Sequence, residues 1–366
     1  MFFTEIRLIG FRNYEDERIR FHPKVNVITG NNAQGKTNLL ESLSLMNMGK
    51  SFRTGRDSEM IGFNKDFCRV DGTFIKDGEC RKIQVEFNRG GRVIRIDGVK
   101  REKNADLLEL AYVVVFSPED MKIVKEEPEK RRRFMDRELF QIKSLYYKNL
   151  SRYKKALLQR NNLLRGGSVA RDTIAPWDQI IATYGMKVIR ERREFIKKLD
   201  VISRDLHRQI TDGREELSLS YECGMPFSDP HMDEEEAYLL FLEEEFERDL
   251  LKGSTGMGPH RDDMKITVNS VDVRHFGSQG QQRTAALSLK LAELRIIKEE
   301  TGVDAVLLLD DVLSELDEER QKFLIKSLKK NQIFITTAEL TDSLLTRLSD
   351  YQILTVSRGK VSSCMK

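Results

Sequence analysis

The sequence has few cysteines, a single tryptophan and no long apolar run. Its four cysteines, Cys68, Cys80, Cys223 and Cys364, include no C-x-x-C pair. That spacing points to neither a zinc site nor a redox motif. Scattered reduced thiols of a cytosolic protein are the plain reading. The apolar runs at 112–116 and 305–309 are typical of the longest and fall far short of a membrane span. Residues 1–11 carry Glu5 and Arg7 and lack the apolar centre of a signal peptide. These absences predict a soluble, cytoplasmic protein without a membrane partner. A dominant charge sign is missing too. Net charge is only +3, so its distribution says more about partners than its total.

What is present suits a folded chain of some size. With 366 residues, two compact units or one domain with a large insertion are expected. The 39% hydrophobic content can bury a sizeable core, and 33% charged residues favour exposed helices.

Residues 25–38 read Val-Asn-Val-Ile-Thr-Gly-Asn-Asn-Ala-Gln-Gly-Lys-Thr-Asn. Gly30, Gly35, Lys36 and Thr37 fit G-x-x-x-x-G-K-[ST], the phosphate-binding loop. Two glycines allow turns that a Cβ would block. The N–H groups along Asn31, Asn32, Ala33 and Gln34 can then point inward at phosphate oxygens. Lys36 supplies positive charge for the β- and γ-phosphates. Thr37 offers a hydroxyl to Mg²⁺, which keeps most of its waters. Val25, Val27 and Ile28 form the preceding strand. A helix over about 36–48 starts around Asn38 and adds its N-terminal dipole.

Before this loop, residues 1–30 predict two or three strands. After it, Lys50 to Arg56 is a basic segment whose arginine could reach a phosphate; a solvated loop is the plainer reading. Alternating residues over 68–100, with Asp77-Gly78, Arg89-Gly90-Gly91 and Asp97-Gly98 turns, predict three antiparallel strands. The apolar run 112–116 suits a sheet centre.

Composition shifts at residue 122. Residues 122–165 hold 14 Lys and Arg against 5 Asp and Glu. Lys130, Arg131, Arg132 and Arg133 are the densest point, with aromatics interleaved. Leu139, Ile142, Leu145 and Leu150 carry helical spacing. Nucleic-acid binding and a charged solvated helix face both fit; some of these arginines could instead hold the helical unit in place. Gly166, Gly167 and Ser168 break the pattern. A helix from Pro176-Trp177 to about Ile210 follows, with Trp177, Ile180, Ile181 and Tyr184 as an apolar stripe. Residues 217–223 predict a short strand. Residues 227–250 hold 10 acids and one arginine, read as a solvated helix. Glycines 253, 256 and 258 precede Pro259-His260-Arg261-Asp262-Asp263, where His260 and Arg261 could meet phosphate or stabilise a turn.

A second half of the phosphate site lies downstream. Ser278 is placed to cap a helix, and Gly280 keeps its start open to an anion. Residues 305–311 run from apolar to acidic, ending in Asp310 and Asp311. A buried strand needs no carboxylate at its tip, so Asp310 fits the acid that holds the Mg²⁺ shell and Asp311 the one that polarises a water. Alternating helices and strands to residue 357 predict a parallel α/β sheet.

The loop at 30–37, Ser278-Gln279-Gly280-Gln281-Gln282, Leu309-Asp310-Asp311 and Ser314-Glu315-Leu316-Asp317 resemble the ABC-type ATPase heads of the SMC group. Within that group the whole chain resembles the RecF family of bacterial recombination mediators. Gly10 to Tyr14, Lys50 to Thr54, Phe116 to Asp120 and Gly258 to Asp263 carry the closer likeness.

The resemblance implies an α/β fold, an ABC-ATPase head whose mixed sheet has an antiparallel N-terminal region. It places the ATPase domain at 1–120 and 251–366 and a mainly helical lobe at 121–250. It implies ATP and Mg²⁺ as cofactors, and a homodimer in which Ser278 and Gly280 of one head meet the nucleotide held by the other. ATP would join the heads around duplex or gapped DNA, and hydrolysis would release them, with RecO and RecR as partners in loading RecA. Some residues depart from the ABC pattern. Asp311 stands where Glu is usual, Thr336 or Thr337 where a switch His is common, and Ser117 where a Gln is expected. These departures imply a weak, DNA-stimulated ATPase that acts as a timer. A transport-type ABC subunit would need a membrane-coupling surface and a catalytic Glu. An SMC-like structural ATPase would need a far longer insertion.

Overall fold

The computed structural model describes residues 1–102, 104–167, 169–225, 232–328, 330–340, 345–348 and 350–365. The chain divides into two compact units. Met1–Lys122 with Ala286–Lys366 make unit 1, and Ile123–Ala285 make unit 2.

Unit 1 contains two six-stranded sheets. The first is antiparallel. It joins β1 (Phe2–Phe11), β2 (Tyr14–Arg20), β4 (Phe67–Lys76), β5 (Glu79–Asn88), β6 (Gly91–Ile96) and β7 (Val99–Arg101) in the order β2-β1-β4-β5-β6-β7. Its hairpins fall where the Gly-containing turns predict. Ile6 and Leu8 point to the core with the period of two that makes one face of a strand apolar, and a register shift between Phe3 and Glu5 lets Phe3 join them.

The second sheet runs β15-β14-β3-β13-β12-β8. It contains β3 (Val25–Thr29), β8 (Val113–Phe116), β12 (Val306–Asp310), β13 (Ile333–Thr337), β14 (Tyr351–Ser357) and β15 (Lys360–Met365). All pairs are parallel except β14 with β15. Strands of such a sheet are covered on both faces and read as continuous apolar runs; β8 and β12 are buried throughout. Helix α1 (Lys36–Met48) packs Leu39, Leu40 and Leu43 into one core that also takes Leu8, Val85 and Leu308. Residues 341–344 and 349 lie outside the described residues, so the helix expected before β14 is not described.

Unit 2 is mainly helical. Its helices are α2 (Met121–Lys125), which begins in unit 1, α3 (Pro128–Ile142), α4 (Ser144–Arg165), α5 (Arg171–Ile210), α6 (Glu234–Glu244), α7 (Phe246–Lys252) and α8 (Val273–Phe276). Helix α9 (Gln279–Thr301) opens in unit 2 and continues into unit 1. A small antiparallel sheet joins β11 (Val271–Asp272), β10 (Asp263–Val268) and β9 (Leu217–Glu222). Helix α10 (Glu318–Ser327) belongs to unit 1.

Three details differ from the sequence reading. Helix α5 starts at Arg171, and Pro176 sits inside it on the exposed side, where the carbonyl it leaves unbonded can meet water. Lys143 has extended backbone and ends α3, so Leu145 falls out of the apolar stripe and is 63% exposed. The chain re-enters unit 1 at Ala286, later than residue 251, because β10 pairs with β9. Gly166 and Gly167 follow α4 as expected, and Ser168 lies outside the described residues.

Candidate functional site

Strand β3 is the middle strand on which the loop is mounted, with β13 on one side and β14 on the other. The loop leaves at the carboxyl end of the strands, where open α/β sheets bind ligands. Gly30 has φ +142°, and a Cβ there would come 2.2 Å from the Val356 carbonyl oxygen of β14. Gly35 has φ +121°, and a Cβ there would meet the Asn13 amide at 2.8 Å. Both glycines are therefore needed for space as well as for backbone angle. Ala33 also takes a left-handed φ of 63°, which turns the exposed stretch Asn31, Asn32 and Ala33.

Side chains from other segments hold the loop. The Tyr14 hydroxyl donates to Gly35 O at 2.9 Å, and Asn13 Nδ2 donates to Gln34 O at 2.8 Å. Asn38 Nδ2 donates to Asn13 Oδ1 at 2.8 Å. From the β14–β15 turn, Arg358 N donates to Gln34 Oε1 at 2.7 Å. The Lys36 ammonium lies within the loop, donating to Gly30 O at 2.5 Å and Asn31 O at 3.0 Å. Its charge is thus held inside the ring of loop atoms.

The acids arrive on β12. Register pairs Asp310 with Thr336 on β13. The buried Asp310 Oδ1 accepts from Thr37 Oγ1 at 2.9 Å and from Thr336 Oγ1 at 3.0 Å. Burial pushes the Asp310 carboxyl above its ordinary value, while those two hydroxyls and the charge of Arg53 pull the other way. A desolvated carboxylate beside a hydroxyl is a hard oxygen pair suited to Mg²⁺. Among the described residues, no group of three or more His, Cys, Asp or Glu side chains could hold a metal alone. Thr37 and Asp310 would share a cation with phosphate and water, as Mg²⁺ prefers. Asp311 is exposed with φ 54°, and its N–H donates to Thr336 Oγ1 at 2.8 Å. Thr336, one of the two positions considered for the switch, therefore binds both neighbouring acids. Ser117 caps the turn at Pro118–Asp120, accepting there with its own N–H held by Asp120 Oδ2 at 2.7 Å.

A second polar group lies behind α1. Glu41 is fully buried, and Arg12 holds it with two bonds of 2.8 and 2.6 Å. Ser51 also donates to it, and Arg53 approaches it at 3.5 Å while binding Asn38 Oδ1 at 2.8 Å. The segment 50–56 is thereby tied to α1. The sequence reading quoted Tyr14 within a family string but gave no role to it, to Glu41 or to Arg358, because these contacts join segments far apart in the chain.

Ser278 is exposed at the start of α9. Its N–H donates to Gln281 Oε1 at 3.0 Å, and its hydroxyl accepts from Gln281 N at 3.2 Å. This reciprocal pair is a capping box. Gly280 is exposed beside it.

The basic run is divided. Arg131 is 3% exposed, and its Nε and Nη2 each bind the Asp263 carboxylate at 2.7 Å. Arg132 is half-buried and donates to Asp262 O at 2.9 Å. Arg133 is exposed and pairs with Glu129 one turn earlier. Lys130 pairs with Glu126 at 3.7 Å. The acidic helix α6 also has partners: Glu234 receives Arg190 at 2.8 Å and Arg193.

A family model described as the RecF/RecN/SMC N terminal domain matches residues 2–361. The DNA replication and repair protein RecF of Alkaliphilus oremlandii is 43% identical over 99% of this chain and 100% of its own length. RecF of Clostridium acetobutylicum is 40% identical over 99% of both chains. A solved structure of the recombination mediator protein RecF with ATP, from the RecFOR pathway, superposes with a TM-score of 0.92 at 36% identity. It covers 99% of this chain and 97% of that one. With its phosphate-binding loop, its paired acids and this full-length likeness, the chain belongs to the RecF family of SMC-like ABC ATPase heads.

Proposed function

We propose that this protein is an ATP-gated DNA-binding protein of recombinational repair and replication-gap repair. Thr37 and Asp310, 2.9 Å apart on different segments, carry the reading. A loop hydroxyl and a strand-tip carboxylate meet there as a Mg²⁺–nucleotide site requires. Mg²⁺ supplies charge neutralisation on the phosphates when bound. The loop N–H groups and Lys36 bind and orient the triphosphate. Asp311 takes the proton side of the attacking water. Ser278 and Gly280, exposed at the start of α9, present an anion-binding helix end to a second copy's nucleotide.

On this reading ATP joins two copies around DNA and slow hydrolysis releases them. Asp311 is one methylene shorter than Glu, and Thr336 provides no imidazole at the switch position. Turnover is expected well below the enzyme median of about 10 s⁻¹. The work with RecO and RecR in loading RecA follows from the family and from the pathway named for its solved relative. Light scattering with and without ATP, using Asp311→Asn to block hydrolysis, tests the mechanism. A monomer that becomes a dimer only with ATP is expected. A chain that binds ATP and stays monomeric, with and without DNA, refutes it.

A further inference from the structure

We infer that Arg261 is a contact for a backbone phosphate of DNA, mounted on a loop that unit 2 holds rigid for the purpose. The inference rests on the DNA-binding reading above and gives it a residue.

The loop between α7 and β10 is tied at almost every position. Thr255 N and Oγ1 both donate to Asn161 Oδ1 at 2.8 Å. Gly256 N donates to Asp249 Oδ1 at 2.9 Å. Gly258 has φ +126°, and a Cβ there would lie 2.1 Å from the Tyr238 hydroxyl. Pro259 O accepts from Arg192 Nη1 at 2.5 Å. His260 Nε2 bonds to Thr255 O at 3.1 Å, which makes Nε2 the donor and leaves Nδ1 to accept from the Tyr153 hydroxyl at 2.5 Å. Asp262 accepts from the Tyr221 hydroxyl at 2.6 Å and Gly224 N at 3.0 Å. Asp263 accepts from Nε and Nη2 of Arg131.

Arg261 is the exception within this run. Its N–H donates to Gly258 O at 2.7 Å and its carbonyl accepts from Arg132 Nη1 at 3.4 Å, so its backbone is fixed. Its side chain is exposed, and no hydrogen bond or ion pair of that side chain is present among the described residues. A turn stabilised for its own sake would not need an arginine there. A guanidinium on a fixed backbone presents its planar fork with less freedom left to lose on binding, which suits phosphate. The two acids that follow Arg261 are already held, Asp262 by Tyr221 and Gly224 N and Asp263 by Arg131, while Arg132 donates to backbone carbonyls. Arg132 and Arg192 lie close enough for their charge, with that of Arg261, to oppose protonation of His260. Burial is the larger cause that keeps that imidazole neutral, so His260 itself brings no charge to the contact.

Fluorescence anisotropy with the full chain, ATP and a labelled gapped duplex tests this across a salt series. Arg261→Ala is expected to bind DNA about tenfold more weakly, the scale of one charge-assisted hydrogen bond. Its slope of log affinity against log salt should fall by about 0.9, one phosphate contact. ATP binding and thermal midpoint should stay as in the unaltered chain, and Arg261→Lys should recover part of the affinity. Equal affinity and slope in Arg261→Ala, with the unaltered chain binding DNA, overturns the inference alone. Weakened ATP binding with unchanged DNA binding assigns the guanidinium to a nucleotide phosphate and overturns it as well. An unaltered chain that binds no DNA overturns both this inference and the function on which it rests.

Discussion

The two units bury charge in different places. Unit 1 has the apolar core of Phe3, Leu8, Leu43, Val85 and Leu308, the buried pairs of Glu41 with Arg12 and of Lys290 with Glu293, and Asp310 desolvated at the phosphate-loop end. In unit 2 charge runs through the interior. Arg160 is fully buried and binds Asp178 at 2.5 Å and Asp249 at 2.6 Å. Arg192 binds Asp136 at 2.7 Å and the Tyr146 hydroxyl at 2.9 Å. In both units these paired charges are compensated by an ion of opposite sign. Unit 1 leaves Asp310 to hydroxyls, a partial compensation that a bound cation would complete. The first arrangement fixes geometry and is fragile to truncation. The second keeps a site poised for a ligand at some expense in stability.

Arg160→Ala is the strongest way to break that contrast. It leaves Asp178 and Asp249 buried without their cation, and burial already raises the Asp178 carboxyl. A loss of about 3–5 kcal/mol is expected, confined to unit 2. Urea unfolding followed by hydrogen exchange in α4, α5 and α7 measures it. A loss below about 1 kcal/mol would mean that the interior network contributes little.

Acidification should act on His260 of unit 2 and Asp310 of unit 1 with opposite signs. His260 is lowered to about 4, first by burial and then by Arg261, Arg132 and Arg192. The unfolded chain therefore takes up the proton first as pH falls. Stability present above about pH 6.5 is lost down to about pH 4, by about 3 kcal/mol in full. His260→Gln should flatten that slope between pH 7 and 5, where few carboxylates titrate. Identical slopes in the two proteins would remove His260 as the cause.

Asp310 has the other sign. Its folded value is raised, so ionised Asp310 costs stability at neutral pH, and the cost is relieved as pH falls through the raised value. Asp310→Asn without nucleotide should therefore melt at or slightly above the temperature of the unaltered chain. Its ATP turnover should drop at least about 100-fold, since a Mg²⁺ ligand is lost. A fall in midpoint matching that of Arg160→Ala would erase the distinction between a site acid and a structural acid.

The contrast also explains what the sequence made legible. The phosphate loop, α1 and β12 were readable because their signals are local: a fixed glycine and lysine spacing, an apolar run, an acid at its tip. Helix α5 was readable to its end for the same reason. Burial of a charged residue has no local signal. Arg131, Arg160 and Arg192 look like any arginine of a basic helix, and their partners Asp263, Asp249 and Asp136 lie up to 132 residues away. Strand pairing hides in the same way. Nothing near residue 263 announces that β10 binds β9, so the return to unit 1 read too early. Strand β15 went unmarked because its polar, antiparallel edge lacks an apolar run.

The smallest effect separates two arginines of one basic run that composition treats alike. Arg133 and Glu129 have side chains 69% and 61% exposed, so their pair gains little over hydrated ions. Arg133→Ala should change stability by no more than about 0.5 kcal/mol in a urea titration. Arg131→Ala strands the Asp263 carboxylate that its Nε and Nη2 hold, and should cost several times more. Reversing Arg131, Arg132 and Arg133 together would therefore mix unfolding with any loss of DNA contact. Arg133→Glu alone is the clean variant. If it lowers DNA affinity with stability intact, the exposed end of the basic run touches DNA beside Arg261. If it leaves DNA affinity unchanged, the positive charge counted in this stretch serves the interior of unit 2 rather than its surface.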